Sequence, residues 1–369
     1  MSIKPPHGAD TLLLLTVLGL TVFGLIMVGS ASAVLAERFN DPFFFLKHQL
    51  FYGISLGLVA FVLGYFIPYR WWRGLALPAM MVSVILLILV FIPGLQVESG
   101  GASRWIGVGP ITLQPSELTK MAFILYLAAL LERKGDAIRS WKETVVPFLI
   151  IMAIIAFLIT LQPDVGTLFS ITAIGMIMVY AAGVRLRHLA MIAFGGVAVF
   201  TVLISTATYR LRRIFVYLHP ELDPQGIGYQ INQALLAVGT GGLWGLGFGR
   251  SRQKYLYLPE PAGDSIFAII AEELGFIRVL FLIAAFGIIM VKGFHIAQRA
   301  PDAFGRLLAT GITAWIVIQA FINMGSILAI TPLTGIPLPF ISYGGSALAT
   351  LLFAAGVLLN ISKFTEQKS

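Results

Sequence analysis

Cysteine is absent from all 369 residues, which excludes disulfides, zinc–thiolate sites, iron–sulfur clusters and a cysteine nucleophile together. Charge is scarce as well: Asp, Glu, Lys and Arg make up 11% of the chain, less than half of the roughly 25% found in soluble domains. The five histidines (His7, His48, His188, His219 and His295) are scattered, and no H-E-x-x-H, carboxylate–histidine cluster or Ser-His-Asp set can be built from them. What the chain has instead is apolar surface, 58% hydrophobic residues, more than a soluble fold can cover. It reads as an all-α polytopic membrane protein. The net charge of +8 suits anionic partners, although much of such an excess can serve to orient a membrane chain.

A spanning helix needs about 20 mainly apolar residues at 1.5 Å each. Ten segments qualify, near Thr11–Ala33, Leu46–Ile67, Trp71–Phe91, Ser116–Leu131, Val145–Leu161, Val165–Ala182, Leu186–Thr206, Ser265–Val291, Phe304–Ile330 and Ser342–Ile361. With both termini cytoplasmic, the inner pieces hold 14 of the 25 Lys and Arg residues, among them the cluster Arg133, Lys134, Arg139 and Lys142. The short outer connections hold only Arg38, Lys47, Arg104 and Lys120, so the positive-inside rule gives both ends to the cytoplasm. Ser30-Ala31-Ser32-Ala33 looks like a signal-peptidase site, but the uncharged run before it exceeds a 7–15-residue signal core, so retention is expected. No internal repeat or soluble domain stands out; residues 1–369 are expected to form one membrane domain, with a large outer loop over about 207–264.

That loop carries Arg210, Arg212, Arg213, Arg250, Arg252 and Lys254 against Glu221, Asp223 and Glu260, and ordered connections of this length are usually functional. Within it, Tyr229–Val238 has helical spacing (Ile231, Leu235, Val238) and suits an amphipathic helix at the interface. The Gly239–Gly249 stretch fits no nucleotide motif, since Trp244 interrupts G-x-G-x-x-G, and reads as a turn-rich reentrant or interfacial segment. Asp264, just before the eighth apolar run, is open to two readings: a helix cap, or a base that takes a proton from a substrate hydroxyl. Three polar groups sit where a membrane should exclude them: Glu117 and Lys120 on one helical face, Gln162-Pro163-Asp164 at a break, and Glu272 and Glu273 followed by Arg278. Such residues are normally paired or line a cavity; Arg278 is the expected partner of Glu272 or Glu273. Thr331–Ser346, with three prolines and three glycines, reads as an ordered reentrant turn.

Read in order, these segments resemble the SEDS family (shape, elongation, division and sporulation; FtsW, RodA and SpoVE). The landmarks are Arg104-Trp105-Ile106, Gln114-Pro115-Ser116-Glu117-Leu118-x-Lys120, Gln162-Pro163-Asp164-x-Gly166-Thr167 and Tyr209-Arg210-Leu211-Arg212-Arg213. They continue through Asp223-Pro224-x-Gly226-x-Gly228-Tyr229-Gln230, Ser251-x-Gln253-Lys254, Leu258-Pro259-Glu260, Asp264, Ala271-Glu272-Glu273-Leu274-Gly275 and Pro337–Ser346. The run from Tyr209 to Lys254 is nearer the division-type FtsW branch. Two departures stand out. Ala262-Gly263-Asp264-Ser265 replaces the usual His-Thr-Asp-Phe, and Arg278 stands where a glycine is usual.

The resemblance implies ten membrane helices, polymerisation of glycan strands from lipid II at the outer face of the bacterial cytoplasmic membrane, and Asp264 as catalytic residue. Arg104, Glu117, Lys120, Arg210, Arg213, Gln253 and Lys254 are the implied substrate-binding residues. No metal ligand is assigned, although a divalent cation (Mg or Mn) could share the pyrophosphate charge with Arg210, Arg213 and Lys254. Implied partners are lipid II, a class B penicillin-binding protein transpeptidase and other division or elongation membrane proteins; nucleic acid is not among them. The alternatives are a lipid II flippase, which needs no base at its exit face, then an ion-coupled transporter, then a recruiting scaffold.

Overall fold

The computed structural model describes residues 7–99, 102–108, 111–205 and 208–365. Twelve main helices follow one another: α1 (Thr11–Ala36), α2 (Phe44–Phe66), α3 (Tyr69–Leu89), α4 (Pro115–Lys134), α5 (Trp141–Leu161) and α6 (Val165–Ala181). Then come α7 (Leu186–Ser205), α8 (Thr208–Leu218), α9 (Ile227–Gly241), α10 (Ile266–Gln298), α11 (Ala303–Ile327) and α12 (Gly345–Ser362). Among the described residues seven helices are long and apolar enough to cross a bilayer (α1, α2, α3, α5, α10, α11 and α12), while α6 and α7 are shorter apolar helices. Each of the ten apolar segments in the sequence overlaps one of the helices α1–α7 or α10–α12.

Local chemistry sets the ends of these helices. Asp10, Asp164 and Asp302 each accept a backbone N–H three residues on, from Leu13, Thr167 and Gly305, satisfying donors that a helix start leaves open. Pro115 opens α4, where its missing N–H costs nothing. Helices α11 and α12 form the centre and are almost wholly buried. Close approach there depends on glycine: a Cβ at Gly64 of α2 would fall 2.6 Å from Phe353 O, and one at Gly356 of α12 would fall 2.4 Å from Phe61 O, the small-residue packing expected of membrane helices.

One element is absent from the sequence reading. Gln96–Ser99, Ala102–Val108 and Ile111–Leu113 form a three-stranded antiparallel sheet, β1-β2-β3, pairing Val97 with Trp105 and Ile106 with Leu113. The all-α description is corrected to that extent. The anticipated amphipathic helix is present as α9, which buries Ile231, Ala234 and Ala237 and leaves Leu235 and Leu236 exposed. The two ends of the chain lie together: His7 N–H donates to Lys363 O at 2.9 Å, and Asp10 N–H to Ser362 Oγ at 3.1 Å.

Candidate active site

Asp264 sits in the turn that leads into α10. Gly263 and Ser265 both donate backbone N–H to Glu260 O, at 3.0 and 3.3 Å, so the chain doubles back and carries the Glu260 and Asp264 carboxylates on one tight loop. The helix-cap reading is not realised, since the N-cap of α10 is Ser265, with no side chain capping the helix. The Asp264 carboxylate instead accepts a long bond from Ser265 Oγ, 3.4 Å. It is only partly exposed. Crowding by protein raises its pKa from 3.8 to about 6, and the nearby Glu260 charge adds to the rise.

The Pro-rich connection 328–344 closes over this turn. Ser342 Oγ donates to Gly263 O at 2.7 Å and accepts from Leu338 N–H at 2.8 Å, while Tyr343 N–H donates to Ala262 O at 2.9 Å. Gln49 fixes the far end, its Oε1 accepting from Gly344 N–H at 3.0 Å. Gly335, at φ +71°, lies so near that a Cβ there would stand 3.7 Å from Asp264 Oδ2. From below, Asn323 Nδ2 donates to Asp264 O at 2.7 Å and to Ile336 O at 2.8 Å.

A second polar chain meets the same connection from the interior. Lys120 and Glu117, each 1% exposed, pair at 2.7 Å. Lys120 Nζ also donates to Gln319 Oε1 at 2.6 Å, Trp315 Nε1 donates to the same oxygen at 2.7 Å, and Gln319 Nε2 donates to Pro337 O at 3.0 Å. Glu117 Oε2 is buried with no hydrogen-bond partner among the described residues. Asp264 and the Glu117–Lys120 pair are thus joined by one segment, 336–337, through two amides of α11. Sequence reasoning passed over Gln319 and Asn323; two amides four residues apart in an apolar helix were the available signal.

The other anticipated substrate contacts divide. Arg104 donates to the carbonyls of Gln162 and Pro163, at 3.1 and 2.6 Å, and so holds the break between α5 and α6. Arg213 lines a cavity of about 250 Å³ with Pro163, Phe169, Phe200, Thr331 and Thr334. The Arg210 side chain lies outside the described residues. Gln253 and Lys254 belong to a separate cluster around Glu272 and Glu273, two turns into α10 and about 9 Å along the axis from its start. There Lys254 Nζ pairs with Glu273 at 3.1 Å and donates to Gly249 O at 2.6 Å. Glu272 accepts from Ser251 Oγ and from the N–H groups of Arg252 and Gln253, at 3.1 and 3.3 Å. The expected pairing of Arg278 with Glu272 or Glu273 is corrected. Arg278 Nη1 donates instead to Trp244 O and Leu274 O, at 2.6 and 3.1 Å, because both carboxylates turn inward to hold the 247–254 loop.

The glycine-rich stretch has a backbone role. Helix α10 breaks at Gly275, φ +77°, and the freed groups pair with the 242–247 turn. Leu246 and Gly247 donate to Glu272 O and Glu273 O, both at 3.0 Å, and Phe276 and Ile277 donate to Gly242 O and Leu243 O, at 2.9 and 3.2 Å. Backbone of this kind is tolerated at membrane depth only where another segment satisfies it. Among the described residues no three His, Cys, Asp or Glu side chains converge on a metal-sized site.

Fold and site together define a multi-pass membrane protein with a partly exposed carboxylate held where a broken helix meets a Pro-rich connection. The family described as cell cycle protein, FtsW/RodA/SpoVE, matches residues 10–367, and the chain belongs to that family. It is 44% identical over 357 residues to stage V sporulation protein E of Bacillus subtilis (strain 168), covering 96% of this chain and 97% of that one. It is 45% identical over 354 residues to the probable peptidoglycan glycosyltransferase FtsW of Trichlorobacter lovleyi, covering 96% and 93%. Among solved structures it resembles a chain of a peptidoglycan synthase complex described as coordinating polymerization and crosslinking (TM-score 0.80, 28% identity, 96% and 97% covered). It also has the fold of the rod shape determining protein RodA of Thermus thermophilus (TM-score 0.71, 28% identity, 98% of each chain).

Proposed function

We propose that this chain polymerises lipid II into glycan strands by inverting β-1,4 glycosyl transfer, with Asp264 as general base, in cell-wall synthesis that serves cell division. The observation that carries the reading is Asp264 itself, partly exposed and with its pKa raised to about 6. At neutral pH such a group is about nine-tenths ionised, yet a far better proton acceptor than an ordinary aspartate. Asp264 takes the proton of the acceptor GlcNAc 4-hydroxyl as that oxygen attacks C1 of the donor MurNAc. The C1–oxygen bond to undecaprenyl pyrophosphate breaks on the opposite face, the facial logic of an inverting glycosidase. The leaving pyrophosphate needs positive charge more than a proton, and Arg210 and Arg213 supply it. Lys254, committed to Glu273, orders the loop that carries Gln253. A magnesium ion brought by the pyrophosphate would need only one or two protein carboxylates.

The joined chain ends support the topology of this reading. Ends on one face support an even number of crossings, and the seven long spans with α4, α6 and α7 make ten. Both ends are cytoplasmic, residues 1–369 form one membrane domain, and 207–264 is the outer segment. The solved relative described as coordinating polymerization and crosslinking supports a transpeptidase of the class B penicillin-binding type as partner.

The test is polymerisation of fluorescent lipid II by the purified chain with that transpeptidase, beside Asp264→Asn. Lysozyme-sensitive polymer from the wild type and none from the variant is expected. Equal turnover would remove Asp264 from the chemistry. No polymer from either folded protein, with lipid II moved across vesicles, would instead favour a flippase.

A further inference from the structure

Arg278 is exposed on the bilayer-facing side of α10 and has no acidic partner among the described residues. Beside it are Trp244 (67% exposed), whose carbonyl it binds, and Phe281 (73%), three residues on along the same face. No carboxylate among the described residues forms an ion pair with it, nor with Arg250 or Arg252 of the adjoining loop. Its depth can be read along the helix. Lys292, paired with Asp10 at 3.0 Å, marks the face that holds both chain ends. Fourteen residues at 1.5 Å place Arg278 about 21 Å from that face, within a hydrocarbon core of roughly 30 Å. The guanidinium therefore belongs to the opposite leaflet, below its headgroups. A lipid-facing arginine at that depth is costly unless it reaches upward or draws an anion to itself. The side chain does reach upward, toward the helix start, where Leu274 O and Trp244 O hold Nη1. That anchorage uses Nη1 alone and leaves the other donors of the planar fork, the group best matched to phosphate, for an anion.

We infer that Arg278, flanked by Trp244 and Phe281, forms a binding site for the phosphate of an anionic phospholipid in that leaflet. The reacting pyrophosphate of a polyprenyl substrate is a poorer occupant, because Asp264 lies fourteen residues before Arg278, beyond the break at Gly275 and on the turn held by Asn323. A bulk phospholipid needs no such proximity. Its acyl chains run down the exposed Phe281 surface while its phosphate meets Arg278.

The experiment is native mass spectrometry of the full chain released from detergent after incubation with dioleoylphosphatidylglycerol, with phosphate-free dioleoylglycerol as control. The wild type should retain one phosphatidylglycerol under activation that strips dioleoylglycerol. Arg278→Gln should lower the retained fraction about fivefold or more, and Arg278→Lys, which keeps the charge but loses the planar fork, should fall between it and wild type. Equal retention in wild type and Arg278→Gln overturns the site. So does a wild type that holds phosphatidylglycerol no better than dioleoylglycerol, a comparison that stands even if the glutamine variant does not fold. Displacement by equimolar undecaprenyl pyrophosphate would hand the site to the substrate and also overturn the proposal. So would unchanged lipid retention with loss of a co-purified single-pass transpeptidase, which would mark a partner's carboxylate as the occupant. The readout is lipid retention, so it fails or succeeds independently of the polymerisation reading above.

Discussion

Asn323 of α11 donates from one amide nitrogen to the backbone carbonyls of Asp264 and Ile336, at 2.7 and 2.8 Å. One side chain thereby fixes the spacing between the carboxylate turn and the Pro-rich connection above it. Asn323→Leu leaves both carbonyls without that donor, and a misplacement of about 1 Å can lower a rate roughly a hundredfold. A 10–100-fold fall in kcat for lipid II polymerisation is therefore expected. KM should hardly change and the thermal midpoint should drop only a few degrees, as for about two lost hydrogen bonds. Wild-type kcat in a folded Asn323→Leu protein would show that the turn is held by other contacts.

The raised pKa of Asp264 has two separable consequences. As a base it must be ionised, so the rate should be flat above pH 7 and fall about tenfold per unit well below pH 6. Stability runs the other way. The folded group holds its proton up to about pH 6 while the unfolded one loses it near 3.9, so the native state binds more protons between those values. Stability then declines as pH rises through that window. Asp264→Asn should match wild type near pH 4 and exceed it by about 1–2 kcal/mol at pH 7–8, discounted from the full shift because the side chain is partly exposed. Thermal unfolding of both proteins across pH 4–8 checks this. A variant less stable than wild type at pH 8 would contradict the sign.

Lys254 and Glu273 form a different kind of pair, 4% and 0% exposed, in which each group is tolerable only because of the other. Glu273→Gln strands a buried ammonium and Lys254→Met a buried carboxylate. Each should cost about 3–5 kcal/mol. The double variant should cost clearly less than the two single changes together. Thermal midpoints of the four proteins in one detergent give the coupling, and strict additivity would mean that the pair is not formed.

These networks mark what a sequence can and cannot convey. The helices were legible because twenty-residue apolar runs have one physical meaning in a bilayer, and Asp264, Glu117 and Lys120 were legible because ionisable groups are conspicuous there. The pairing was not. Arg278 stood closest in sequence to Glu272 and Glu273 yet bonds to carbonyls, whereas their true partners, Ser30, Ser251 and Lys254, come from α1 and a loop about twenty residues back. Asn323 and Gln319 were missed because an uncharged amide raises little alarm in a sequence, although its hydrogen bonds span three segments. The three-stranded sheet escaped because Gln96–Leu113 lacks a clean alternation of apolar and polar residues.

The glycine-rich turn makes the most severe prediction. Gly275 and Gly245 face each other across the break in α10: a Cβ on Gly275 would lie 2.2 Å from Gly245 N, and one on Gly245 would lie 2.2 Å from Glu273 O. Both also have left-handed backbone, φ +77° and +81°, which alanine adopts only at a cost. The obstruction is backbone on each side, so it cannot rotate away, and the four hydrogen bonds that bridge the break would be pushed apart. Gly275→Ala and Gly245→Ala should each reduce the yield of monodisperse protein from membranes by tenfold or more, the loss expected when a substitution costs more than about 2 kcal/mol in a marginally stable fold. Gly287→Ala, on the same helix with nothing within 4 Å of its Cβ position, should be recovered at wild-type level. Equal recovery of all three proteins in size-exclusion chromatography would mean that α10 can run unbroken, and that the turn does not determine where the Glu272–Glu273 cluster sits.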